Sequence, residues 1–234
     1  MTALIARSLT SKDDRAILVD ADRQGGALDV LLGIEHETGA RWQNLGLEES
    51  LPDPRSLSVR IPSWDGVSVL SLGSWSRDCP DVRDMSQVVS VLAGASRVLV
   101  DSGRSCEMLE SVSVDPLCCL VVCELSVHGL ARAKGLMRDI RTRPACLVGV
   151  SPHMARAGRV GIDIADAADY LDCGDDVVVA GPLPSSRSLS ENILTGLGLS
   201  DVNRRVRGVV ESVAGFIRKC EEGVCGDADK IRAS

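Results

Sequence analysis

Short apolar runs recur along the chain with mixed segments between them: ILVD at 17–20, VSVLSL at 67–72, RVLVD at 97–101, LCCLVVC at 117–123, ACLVGV at 145–150 and DVVVA at 176–180. Most are continuously apolar. That is how strands read when helices cover both faces of a parallel sheet, whereas an antiparallel sandwich with one wet face calls for alternation. Between these six predicted strands, helices are predicted over 2–11, 84–95, about 126–140, 163–171, 190–197 and about 201–220. In the last, Val202, Val206, Val209, Val210, Val213 and Ile217 make one stripe, with Arg204, Arg205, Arg207, Glu211 and Arg218 off it, so the helix is expected to pack on the sheet. The alternation predicts an α/β fold, a doubly wound and mainly parallel sheet with helices on both faces, whose ligands bind beyond the carboxyl ends of the strands. Residues 46–66 read as a loop or extended excursion, because three prolines and a Trp-Asp-Gly corner interrupt any helix. No repeat or linker breaks the pattern. One domain is expected over 1–221, followed by a polar, frayed tail over 222–234.

Composition narrows the class. The chain has 234 residues, 44% hydrophobic, and only five aromatic ones, so Val, Leu, Ile and Ala must fill the core. A formal net charge of −7 opposes loose attraction to nucleic acid or anionic lipid. The basic clusters at 138–143 and 204–207 therefore read as solvated helix faces, DNA is not an expected partner, and membrane contact is at most peripheral. No run approaches the roughly 18 apolar residues of a membrane span, and the opening MTALIARSLTSKDD lacks a signal peptide's apolar core, which predicts a cytoplasmic protein. Nine cysteines, an odd number, are not a secreted disulfide framework; reduced, buried thiols are expected, notably Cys118, Cys119 and Cys123. Cys220 and Cys225 could form a redox pair or bind metal, but no second pair has zinc-site spacing and His36, His128 and His153 are dispersed. His128 follows Glu124 at a strand-to-helix junction, yet no nucleophile accompanies it; a structural or exposed histidine is expected.

The chemistry concentrates in ILVDADRQGGALDVLLG, residues 17–33, where an apolar strand ends in two aspartates one residue apart and runs into Gln-Gly-Gly. Carboxylates at such an edge can orient a Mg²⁺-bound or attacking water, and the glycines admit a ligand close to the backbone. Equally, Asp20 and Asp22 could simply cap the following helix.

The stretch VDADRQGGALDVLLG resembles the second signature of the ParA/MinD superfamily of deviant P-loop ATPases, a strand followed by Asp-x-Asp-x-Gln. RVLVDSGRS at 97–105 resembles that family's Walker B strand, and DVVVAGPLPSSRSLSENI at 176–193 its late strand and proline-containing loop. The resemblance implies roles: Asp22 for orienting or activating the attacking water, Asp20 and Asp101 for Mg²⁺ and its water shell, Gln24, Gly25 and Gly26 for close approach to the ligand, and Pro182 and Pro184 against the adenine. MTALIARSL resembles the end of the phosphate loop and the helix after it, which aligns Thr2 with the residue just after the Mg²⁺-binding Ser/Thr. The glycine-rich loop, its lysine and the strand before it are absent from residues 1–234; a late start or a degenerate paralogue is expected, ahead of a strand donated by a partner. Two positions depart from the family pattern. Val150 or Ser151 stands where an asparagine reads adenine, and Ser102-Gly103-Arg104 replaces the proline after Walker B.

Within the superfamily, VDADRQGGALDVLLGIEHETGARWQNL most resembles the actinobacterial CpaE-like, septum-site-determining group. That implies a regulatory or positioning protein in division-site selection or Flp/Tad pilus and secretion assembly, non-catalytic or weakly active as it stands. Its partners would be proteins of those machineries, with a homodimer as the family's habit, and recruitment to the cell pole, septum or inner membrane surface. The alternatives are a Mg-ATP-dependent switch, with ATP or ADP and Mg as cofactors, and a nucleotide-independent binding module on a Rossmann-like scaffold.

Overall fold

The computed structural model describes residues 1–12, 14–24, 27–47, 53–73, 79–104, 107–112, 118–140, 143–152, 162–174, 177–184, 186–196, 198–199 and 202–223. Gly25, Gly26, His153, Arg141, Cys225 and the tail from residue 224 lie outside them. In chain order the elements begin with α1 (Thr2–Leu9), β1 (Ala16–Asp20), α2 (Leu28–Leu32), a 3₁₀ turn (Trp42–Asn44), α3 (Pro54–Arg60), β2 (Ser63–Trp64) and β3 (Val67–Leu70). They continue with α4 (Val82–Ala93), β4 (Arg97–Asp101), α5 (Glu107–Ser111), β5 (Cys119–Glu124), α6 (Val127–Asp139) and β6 (Ala145–Val150). The last are α7 (Ile164–Tyr170), β7 (Val177–Leu183), α8 (Arg187–Leu194) and α9 (Arg204–Glu221). The α/β class predicted from the apolar runs is observed: mainly parallel strands covered by helices.

The chain divides into two compact units, Met1–Asp115 with Ser188–Asp201, and Pro116–Arg187 with Val202–Ser234. The first holds a four-stranded sheet of order β2-β3-β1-β4, in which β1 runs parallel to β3 and β4 while β2 is antiparallel to β3. β1 is central and every residue of it is buried, as a strand covered on both faces requires. α1 lies on β1 and β4, turning Ala3, Leu4, Ile5, Ala6 and Leu9 inward, and α4 covers β4 with Met85, Val88, Val89 and Leu92. The α4 residues join Ile17, Val19, Trp42, Leu57 and Leu70 in one core, each such large side chain contributing about 1.5–3 kcal/mol by leaving water.

The second unit holds an all-parallel sheet of order β5-β6-β7. α6 packs on β5 and α9 on β7. Asn203 caps α9 by accepting the Val206 N–H; of the predicted stripe Val206, Val210, Val213 and Ile217 are buried and Phe216 joins them, while Val209 is partly buried and Val202 lies ahead of the helix. Among the described residues no helix is long and apolar enough to cross a membrane.

Three readings of the sequence need correction. Residues 54–60 are a helix, not an extended excursion: the Asp53 carboxylate accepts the Ser56 N–H, and Pro54 takes a first-turn position where its missing N–H costs nothing. The prolines start this segment instead of breaking it. There is also a seventh strand, the two-residue β2, which follows Pro62 and turns back through Asp65 and Gly66, both at positive φ. Finally, the cysteines are not uniformly reduced. Cys79, Cys118, Cys119, Cys123, Cys146 and Cys173 are free, but Cys220 is disulfide-bonded to a partner outside the described residues. Burial pushes the thiols of Cys118 and Cys146 up to about 12, so they behave as the apolar packing groups expected.

Candidate functional site

Asp20 and Asp101 end adjacent parallel strands in the same register, so their carboxylates stand side by side at the carboxyl edge of the first sheet. The chain bends around each of them. Asp20 Oδ1 accepts the Asp22 N–H at 3.2 Å and Oδ2 accepts the Leu28 N–H at 3.2 Å, which closes the loop that follows β1. Asp101 Oδ1 accepts the Gly103 N–H at 3.2 Å, and its Oδ2 accepts the hydroxyl of Thr2 at 3.1 Å. Asp22 Oδ1 accepts the Gln24 N–H at 3.0 Å. The structure therefore brings Thr2, Asp20, Asp22 and Asp101 together within one unit, and Gln24 lies exposed on the same loop. Gly25 and Gly26 fall outside the described residues.

Asp20 is 3% exposed, and burial is the main reason its pKa is pushed up to about 6. The N–H groups of Leu28 and Asp22 offset part of that burial, and the smaller effects of the negative charges of Asp101 and Asp22 raise it again. This carboxylate is costly to keep charged without a cation. The local donor set, carboxylate oxygens with one hydroxyl, is the hard-oxygen chemistry that suits Mg²⁺. Among the described residues no three acidic, histidine or cysteine side chains converge closely enough to enclose an ion.

Three residues to which the sequence assigned no role at this edge complete it. Trp42 is buried at 2% exposure and its indole Nε1–H donates to the main-chain carbonyl of Asp20 at 2.7 Å. Beside it, buried Arg41 donates to the carbonyls of Ile34 and Glu37 and lies 4.0 Å from the buried carboxylate of Asp29. The third is Gly103, at φ +59: a Cβ there would overlap the Asp22 carboxylate, so glycine is what lets the segment after β4 lie against that after β1. The Gly-x-Arg-Trp pattern was visible in the sequence, but nothing in it shows that the indole reaches β1.

The second unit holds the remaining expected residues. Pro182 belongs to the end of β7 itself, not to a following loop; β7 is the last strand of its sheet, where proline is tolerated. Pro184 follows it. Val150 pairs in register with Leu183, and the Ser151 N–H donates to the Leu183 carbonyl at 2.9 Å, so the Val150–Ser151 and Pro182–Pro184 segments are neighbours. His128 is exposed in the first turn of α6.

No family model matches the chain. An uncharacterized protein of Mycobacterium tuberculosis is 26% identical over 189 residues, covering 81% of this chain and 46% of its own length, so the chain spans about half of that relative. Solved structures give a sharper likeness. A ParA family ATPase from Chlorobium tepidum has a TM-score of 0.66 at 15% identity, covering 90% of this chain and 89% of its own. The MinC:MinD cell division protein complex of Aquifex aeolicus gives 0.66 at 16%, covering 99% and 92%. The septum site-determining protein MinD of Pyrococcus horikoshii, complexed with Mg-ADP, gives 0.64 at 16%, covering 98% and 92%. The chain has the ParA/MinD fold, a P-loop NTPase-like α/β architecture.

Proposed function

We propose that this protein is a ParA/MinD-like regulatory or positioning protein, cytoplasmic and non-catalytic or weakly active, that works through contacts with other proteins. The observation that carries the reading is the Asp20–Asp101 pair at adjacent strand ends, with the Thr2 hydroxyl on Asp101: a strained acidic edge built to respond to a cation. Asp20, Asp101 and Thr2 would hold Mg²⁺ through its waters, and Asp22 faces the same edge. Bound there, the ion would neutralise phosphate charge. Residues 1–234 supply neither the glycine-rich backbone cradle nor the lysine that position and neutralise the phosphates, and phosphoryl transfer depends almost wholly on those two effects. The resemblance of residues 19–45 to the CpaE-like, septum-site-determining group favours division-site selection or Flp/Tad pilus and secretion assembly as the process. It also favours a protein of those machineries, or a second copy of this chain, as the partner, with recruitment to the pole, septum or inner membrane surface.

Calorimetric titration with Mg-ATP and Mg-ADP, repeated on Asp20→Ala and Asp101→Ala, tests this. Saturable binding that weakens in both variants, with turnover near background, supports a nucleotide-responsive regulator. Rapid turnover gained when a glycine-rich phosphate loop is joined ahead of residue 1 favours the second reading, a Mg-ATP-dependent switch, which draws on the same Thr2–Asp101 contact. A folded chain that binds neither nucleotide leaves the nucleotide-independent binding module.

A further inference from the structure

A cavity of about 560 Å³ opens beside this edge, within the first unit. Its walls come from the segment after β1 (Asp22, Arg23 and Gln24) and from the segment after β4 (Ser102 and Arg104), with Glu107 at the start of α5. Val82 and Met108 give it an apolar shelf. No residue of α1 lines it, so it is separate from the Thr2 hydroxyl. Its volume falls within the range of small-molecule sites.

The charged groups in the wall are not equivalent. Asp22 is engaged by the Gln24 N–H and held against Gly103, and Glu107 already has a partner. Arg23 and Arg104 have neither hydrogen bond nor ion pair among the described residues. Two arginines thus line one cavity with no partner for their guanidinium donors among the described residues, beside an apolar shelf. Planar guanidinium forks match carboxylate and phosphate oxygens two at a time, and such bonds strengthen when an apolar body excludes water from them.

We infer that this cavity binds a small anionic ligand, a carboxylate or phosphate head on a short aliphatic body, with Arg23 and Arg104 on the head and Val82 and Met108 against the body. The site shares Asp22 and Gln24 with the segment given to the nucleotide reading, but its two arginines have no role in that reading. It also has a direct route to the acidic edge: Arg23 sits inside the Asp22–Gln24 turn and Arg104 follows the Asp101–Gly103 turn, so a ligand drawing the two arginines together pulls on both carboxylate-bearing segments.

Amide chemical-shift titration of the 234-residue protein, without nucleotide or Mg²⁺, tests the inference with valerate, inorganic phosphate and neutral valeramide as probes. Saturable shifts at residues 21–24 and 102–104 are expected with valerate or phosphate and not with valeramide, and the tighter of the two anions identifies the head group. Arg23→Gln and Arg104→Gln should each weaken binding by about tenfold or more, as loss of a charge-assisted hydrogen bond does. Glu107→Gln should tighten it, a response no purely structural role of the arginines would give. Both arginines are exposed, so their variants are expected to keep the wild-type circular dichroism. Absence of saturable shifts up to tens of millimolar, equal binding of valeramide, or unchanged affinity in both arginine variants would overturn the inference. So would phosphate binding that disappears in Asp101→Ala but survives in the arginine variants, which places the anion at the acidic edge.

Discussion

The indole Nε1–H of Trp42 donates to the main-chain carbonyl of Asp20 at 2.7 Å, tying the segment after α2 to the last residue of the central strand. Both groups are buried, so removing the donor leaves a carbonyl unpaired in the interior. Trp42→Phe is expected to cost about 1–3 kcal/mol beyond any lost packing, measured by urea denaturation. The shifts should spread to the Asp20 and Leu28 amides in an NMR spectrum; a change confined to residues near position 42 would show that the contact does not position Asp20.

Asp20 gives the clearest pH signature. The unfolded chain releases this proton near 3.8 and the folded chain near 6, so between those values the folded state binds more protons. Its contribution to stability is fully present below about 3.8 and is lost as pH rises through about 6. Asp20→Asn cannot ionise. Its stability relative to wild type should rise by about 2–3 kcal/mol from pH 4 to pH 7, on top of a constant loss because its amide nitrogen cannot accept the N–H that one carboxylate oxygen holds. Mg²⁺ at pH 7 should raise the melting temperature of wild type and leave the variant unmoved, and a pH-independent gap would rule out this assignment.

Gly103→Ala introduces a methyl group where the Asp22 carboxylate lies, on a backbone at φ +59. We expect about 1–3 kcal/mol of destabilisation. The first amides to shift should be those of Asp22 and Gln24, because the collision is with the turn they form. A stability equal to wild type would mean that the two segments separate at no cost.

Two arginines provide an internal contrast. Arg7 pairs with Asp65 at 3.0 Å near the surface, with side chains 30% and 55% exposed, whereas Arg41 is buried beside Asp29. Asp29→Ala strands a buried guanidinium and should cost about 3–5 kcal/mol, while Asp65→Asn, which keeps a residue type tolerated at positive φ, should cost at most about 1 kcal/mol. Denaturant midpoints for the two variants decide the order.

Burial on both faces leaves a continuous apolar run where ACLVGV coincides with β6, while RVLVD coincides with β4 although only Leu99 of that strand is buried, and the valine stripe of α9 was plain. The strand-end carboxylates Asp20 and Asp101 could be read for the same reason, since an aspartate terminating such a run stands at the ligand edge of a parallel sheet. What escaped were features whose partners lie far along the chain. Trp42 is 22 residues from the carbonyl it holds. Gly103 matters only because Asp22 faces it. α3 was lost to a local rule applied too bluntly, since a proline interrupts a helix interior and favours its first turn. The cavity's arginines follow the turns of two separate strands, and no spacing along the chain announces that they share a wall.

The two-residue β2 has a bearing on how the protein behaves when concentrated. A parallel sheet of valine and leucine is an attractive template for a foreign strand, and β3 would present a full ladder of free amides and carbonyls on that flank. Instead it is met by Ser63 and Trp64, preceded by a proline and followed by a sharp turn through Asp65, whose carboxylate is held by Arg7. So brief a border, with a missing donor at one end and a charge at the other, gives a neighbouring molecule almost nothing to extend. On this flank the fold guards itself against filament growth, and lengthening the hairpin by a few apolar residues should be enough to undo that protection.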